Sequence, residues 1–225
     1  MKDIKAIITG ATGMVGKGVL LECLAHSSVT SVLVVNRQPI NIKHPKLVEI
    51  IHNNFFDLSP IEESFKGYNA CFFCLGISSF RMREKDYEHI TYDLTLHVAQ
   101  TLLKLNAEMT FCYVSGQGTD STEKGRTMWA RVKGKTENDL LAMPFNAAYM
   151  FRPGYIHPMH GIKSRTPLYN IAYAIMKPLY PLLKTFFSNG ITTNQAMGRA
   201  MIAVILKGYD KRVLVSRDIN LLAQY

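Results

Sequence analysis

The chain has 225 residues, 48% of them hydrophobic and 19% charged, a composition that suits one globular domain with a large core and excludes disorder as its main content. The formal charge of +9 makes the surface attractive to anions such as cofactor phosphates, but the lysines and arginines form no dense run, which argues against a nucleic-acid binder. Asp3 and Lys5 interrupt the N-terminal apolar run and Gly10 ends it, so no signal-peptide pattern is present and the expected compartment is the cytoplasm.

Strand-like and helix-like runs alternate along the chain. Residues 6–9 are a short apolar run that stops at Gly10 and reads as a first buried strand. Residues 14–26 carry apolar side chains at helical spacing. Residues 31–35 are β-rich and end at Asn36-Arg37; residues 47–51 are a third strand, followed by a turn at Asn53-Asn54. Ser59, with Pro60 after it and Glu62 three positions on, predicts a short capped helix over 59–65. Residues 70–75 are apolar throughout, as a parallel strand covered on both faces should be.

A long helix is predicted over 84–105 and a fifth strand over 109–114. A polar loop over 115–125, a helix over 127–142 and a sixth strand over 147–151 follow, the last ending at Arg152-Pro153-Gly154. Beyond Gly154 the alternation weakens. Residues 157–167 read as loop and 169–187 as an apolar helical region. Thr193 is placed to cap a helix reaching 206, and 213–215 form a late strand. Lys177, Pro178, Pro181 and Lys184 argue against a membrane span over 167–187, leaving open a surface helix or contact with a membrane or a partner.

The order predicts an α/β fold, a doubly wound parallel sheet with helices on both faces. It reads as one domain, with a cofactor-binding core over 1–155 and a small C-terminal cover of the substrate cleft over 156–225. Cys23, Cys71, Cys74 and Cys112 read as buried thiols. Cys71 and Cys74 have a metal-like spacing, but residues three apart on a strand point to opposite faces. His157 and His160 have no third ligand nearby, so no metal site is expected.

The chemistry begins at Gly10-Ala11-Thr12-Gly13-Met14-Val15-Gly16. Between a first strand and a helix, such glycines allow a tight turn, a close backbone approach to a pyrophosphate, and close helix–strand packing. The helix N-terminus adds free N–H groups and a positive dipole end. Placed at the start of an alternating chain, the turn reads as a dinucleotide site. At the end of the second strand, an acidic residue would bind an adenosine 2′-hydroxyl; Asn36-Arg37 stands there instead, and a guanidinium matches a 2′-phosphate. NADP is therefore favoured, with NAD as the other candidate.

These residues resemble the atypical short-chain dehydrogenase/reductase superfamily, an NAD(P)-binding Rossmann class, and within it the Tat-interacting-protein-like and NmrA-like branches. The glycine turn is similar to the family's cofactor turn. Asp57-Leu58 resembles its adenine-side pair, and Cys74-Leu75-Gly76 its segment along the cofactor. Ser115 and Lys133 stand where it places its active-site serine and lysine, and Arg152-Pro153-Gly154 resembles its strand end near the nicotinamide. The resemblance thus implies cofactor contacts from Gly10, Thr12, Gly13, Met14, Val15, Gly16, Arg37, Asp57, Leu58, Leu75, Gly76, Lys133, Arg152, Pro153 and Gly154.

One position departs from the pattern. The family's Tyr-x-x-x-Lys motif would put tyrosine at 129, where this chain has Trp129, and no tyrosine lies between Tyr113 and Tyr149. An indole N–H donates but has no useful acidity. Two functions stay open: an oxidoreductase or isomerase acting on a small carbonyl or hydroxyl substrate, with Tyr155, water or a substrate hydroxyl replacing the phenol; or a non-catalytic NADP(H)-sensing module that presents a surface to a protein partner or a second copy. No nucleic-acid partner is expected.

Overall fold

The computed structural model describes residues 3–159 and 190–225. Seven parallel strands form one sheet. They are β1 (Ile4–Thr9), β2 (Val29–Asn36), β3 (Leu47–Ile51), β4 (Ala70–Phe73), β5 (Thr110–Val114), β6 (Ala147–Arg152) and β9 (Val213–Val215). Their spatial order is β3-β2-β1-β4-β5-β6-β9. The chain runs outward from β1 to β3, then crosses back to lay β4 on the other side of β1. Such a reversal opens a crevice at the carboxyl ends of β1 and β4, where ligands of this architecture bind.

Alternation along the strands divides the core into two layers. Ile8, Val34, Phe72 and Cys112 face α1 (Met14–Ala25) and α5 (Asn194–Lys207). Ile7, Val35, Phe73 and Tyr113 face the opposite layer, which holds α3 (Leu94–Leu105) and contacts α4 (Met128–Ala142) through Leu140. The same alternation separates Cys71 from Cys74. They lie in different layers, and no metal-binding cluster occurs among the described residues.

Three expected elements differ. The helix over 84–105 is interrupted: α2 (Glu84–Glu88) passes through a π turn at His89–Asp93 before α3 begins, and the Leu94 N–H bonds to the His89 carbonyl, five residues back. The wider turn lets Tyr87 be buried on one side while Tyr92 donates to Asp139 of α4 at 2.6 Å. Ser59 caps nothing. Its N–H and hydroxyl both donate to Asp57, and only a single 3₁₀ turn, Glu62–Phe65, follows. Thirdly, the loop expected after 157 follows a short strand, β7 (Tyr155–His157), which pairs with β8 (Ile191–Thr193).

The described C-terminal residues extend the core. β9 adds a seventh strand, α5 lies across α1, and α6 (Ser216–Leu222) packs beside α5. Thr193 caps α5 as expected, accepting from the Ala196 N–H at 2.9 Å. Small residues let α5 approach α1: a Cβ on Gly18 would lie 2.7 Å from the Asn194 Cβ, and one on Gly198 would lie 2.8 Å from Glu22. The apolar stretch over 169–187 and His160 lie outside the described residues.

Candidate functional site

The crevice at the switch point is a cleft of about 420 Å³ lined by Gly10, Thr12 and Gly13, by Arg37 and Gln38, by Asn53 and Phe55, and by Leu75 and Gly76. The glycine turn is compact for a mechanical reason. Gly10 has φ +70, and a Cβ there would sit 2.7 Å from the Cys74 carbonyl oxygen. A Cβ on Gly16 would come within 2.3 Å of the Gly10 oxygen, so the helix could not pack on the strand. Gly13 is the N-cap of α1. No side chain caps that end, no acidic residue stands in its first turn, and the first helical bond is Lys17 N–H to Gly13 at 2.9 Å. The Gly13 N–H is taken by the Gly10 carbonyl at 2.9 Å, and the N–H groups of Met14, Val15 and Gly16 are left without intrahelical partners at this end of the helix. This cradle fits a dinucleotide pyrophosphate: an open helix N-terminus, no competing carboxylate and no Cβ at Gly76 to narrow the opening.

At the end of β2, Arg37 is exposed and lines the cleft. Glu49 is close in the fold but engaged elsewhere, accepting from the Ile40 N–H at 2.9 Å and the Asn36 amide at 3.3 Å. It is not among the cleft-lining residues, which leaves Arg37 as the charged group of this wall.

Beyond Ile77 the cleft continues into a chamber of about 590 Å³ lined by Ser115, Gln117, Trp129, Lys133, Pro153, Gly154 and Tyr155, with Ser78, Ser79 and Tyr87. Ser115 leaves β5 and donates its hydroxyl to the Phe151 carbonyl at 3.1 Å. Lys133 reaches from α4 to donate to the Ser115 carbonyl at 2.5 Å. Burial of its ammonium pushes the Lys133 pKa down to about 8, with Glu137 one helical turn away opposing the fall. Trp129, one turn earlier on α4, lies over the loop; a Cβ on Gly118 would be 3.3 Å from the indole edge. The four-residue spacing has put Trp129 and Lys133 on the same wall.

Not every expected site residue reaches the cleft. Gly10, Thr12, Gly13, Arg37, Leu75, Gly76, Ser115, Lys133, Pro153 and Gly154 line it. Asp57 is held by Ser59, and Leu58 is buried in the core; Asn53 and Phe55, earlier in the same turn, line the wall instead. Met14, Val15 and Gly16 belong to the cradle through their backbone and do not line the cleft. Arg152 turns away from the chamber. Its guanidinium forks onto the buried carboxylate of Glu137 and also reaches Ser121, tying the end of β6 to α4. Gln117, Ser78, Ser79 and Tyr87 also line the chamber without a motif to mark them: Gln117 sits in the loop after β5, Ser78 and Ser79 in the loop between β4 and α2, and Tyr87 in the first turn of α2.

Solved structures share this architecture. A short-chain dehydrogenase/reductase from Saccharomyces cerevisiae is 12% identical with TM-score 0.69, covering 99% of each chain. A Bordetella bronchiseptica enzyme, WbmF, solved in complex with NAD+, is 17% identical with TM-score 0.67, covering 99% of this chain and 77% of its own. No family model matches the sequence. Among curated proteins, rat Protein HTATIP2 is 24% identical over 159 residues, 69% of this chain and 64% of its own. Protein FMP52-1, mitochondrial, of Scheffersomyces stipitis is 25% identical over 190 residues, 84% of this chain and 82% of its own.

The chain has the Rossmann fold of these short-chain dehydrogenase/reductase structures, and its sequence is similar to HTATIP2 and FMP52. The match spans less than two thirds of the length of HTATIP2. The yeast relatives carry "mitochondrial" in their names, so the cytoplasmic expectation gains no support from them. Among the described residues, no helix is long and apolar enough to cross a membrane. The chain brings Ser115 and Lys133 together in one chamber, with the Trp129 indole where the resemblance leads one to expect a phenol.

Proposed function

We propose that the protein binds NADP(H) along this cleft and acts as an oxidoreductase or isomerase on a small carbonyl or hydroxyl substrate. The observation that carries the reading is that the two cavities meet at Ile77, which lines both. A glycine cradle at the switch point leads past Ile77 into a chamber holding Ser115 and Lys133. The α1 N-terminus would hold the pyrophosphate, Arg37 the 2′-phosphate, and Gly154 and Pro153 the floor of the nicotinamide end. The bound dinucleotide would supply or accept hydride. Ser115 and Lys133 would hold the substrate oxygen and the ribose. The test combines calorimetric titration with NADPH and NADH and a panel of aldehydes, ketones and secondary alcohols, followed by nicotinamide absorbance. Binding with turnover supports the reading; a protein that binds neither dinucleotide contradicts it.

Trp129 favours a second reading, a dinucleotide-sensing module. Without the phenol, general acid–base help worth ~10²–10⁴-fold is missing from its usual place. In that case the occupied cleft would set a surface for a protein partner or a second copy. Binding without turnover on the whole panel would select it.

A further inference from the structure

Among the described residues, the titratable side chains lining the chamber are Lys133, Tyr87 and Tyr155, and no carboxylate lines it. Ser115 has committed its hydroxyl proton to the Phe151 carbonyl, so it meets the chamber as an acceptor. Trp129 can donate a hydrogen bond but not a proton. Lys133 has three N–H bonds, and the Ser115 carbonyl takes one. That contact fixes the ammonium on the same patch of wall as Ser115, where a substrate oxygen would be held.

We propose that Lys133 is itself the proton donor of this site, giving a proton to the carbonyl oxygen of an aldehyde or ketone in place of the absent phenol; the assignment rests on the reductase reading above. The carbonyl carbon accepts hydride from the reduced dinucleotide, which is oxidised. The C=O π pair moves to oxygen, and an Nζ–H bond of Lys133 breaks toward that oxygen to complete the alcohol. The neutral amine regains its proton from water. The surroundings suit the role. Tyr87 from α2 and Tyr155 from β7 share the wall, and Glu137 lies on the same helix with its charge engaged by Arg152. Burial brings the ammonium to about 8, close to neutral pH, where donor and acceptor forms are both accessible.

The experiment uses NADPH with 4-nitrobenzaldehyde and a panel of ketones as probes. In the parent, kcat for reduction should fall as pH rises through about 8, because the donating ammonium is lost. Lys133→Arg keeps the charge but holds its proton too tightly to give it up. It should lose about 100-fold or more in kcat at saturating NADPH, with its NADPH affinity measured separately by calorimetry so that the loss is read in the fully loaded complex. Trace acetylation of the parent at varied pH, read by peptide mass mapping, gives a measurement independent of turnover, in which Lys133 should half-titrate near 8, below the exposed lysines. Turnover by Lys133→Arg at the parent rate, disappearance of the pH limb in Tyr155→Phe, or Lys133 titrating with the exposed lysines would each overturn the assignment while leaving the reductase reading intact. An NADPH-bound parent that turns over none of the probes would overturn both.

Discussion

Trp129 stands one helical turn from Lys133 and shares the chamber with Ser115. Replacing it with tyrosine puts an acidic phenol beside Lys133 as a second proton donor and removes part of the indole volume. Trp129→Tyr should therefore raise carbonyl-reductase turnover by ~10-fold or more. A fall in turnover would mean that the indole shapes the working pocket. Lys133 makes a separate prediction about stability. Its folded pKa, about 8, lies below the ordinary lysine value of 10.5, so the folded protein releases this proton first as pH rises. Between those values the unfolded chain binds more protons, and stability from this group increases with pH. Lys133→Met removes the effect. Denaturant melts of the two proteins without cofactor should show the parent gaining on the variant from pH 8 to 10.5; a constant difference would mean that the ammonium is not desolvated.

At the scale of elements, α4 is positioned by the loop before it. The Asp120 N–H donates to the Ala130 carbonyl at 3.0 Å, and Gly134 lies directly beneath the same loop. A Cβ on Gly134 would fall 1.8 Å from the Asp120 carbonyl oxygen, a clash with backbone that no rotamer relieves. Gly134→Ala should cost about 1–3 kcal/mol or more, measured by denaturant unfolding, despite alanine's better helix propensity. A stabilised variant would contradict this packing. The elements also show what the sequence makes legible. The cap at Thr193 could be read because it needs only a hydroxyl before an apolar helical run. The sheet could be read because buried strands are continuous apolar runs. The π turn could not, since an i→i+5 bond between His89 and Leu94 leaves helical spacing nearly intact and arises from packing against α4. β7 and β8 could not either, being three residues each and stabilised by one another across a long sequence separation.

Over the whole molecule, the crossover from β3 to β4 sets where a cleft can open, and the residues expected from sequence that line it are those next to the switch point. Gly10 and Gly13, Leu75 and Gly76, and Ser115 all follow strand ends at the same rim. Arg152 also follows a strand, yet its side chain goes to Glu137, because which neighbour a long guanidinium meets depends on how α4 docks. Asp57 accepts from Ser59 and does not line the cleft. On the proposed reading, a nicotinamide dinucleotide would lie in the cleft with its pyrophosphate at the α1 N-terminus and its 2′-phosphate at Arg37. Trp129 is the chain's single tryptophan and lines the chamber with Ser115 and Lys133, so its fluorescence should report binding directly. Titration with NADPH and NADH should quench it, with NADPH tighter by ~10-fold or more, about the 1.4 kcal/mol of one charge-assisted contact, and Gly13→Val should stay folded and lose the response. No quenching and no calorimetric heat with either dinucleotide, or full binding by Gly13→Val, would contradict it.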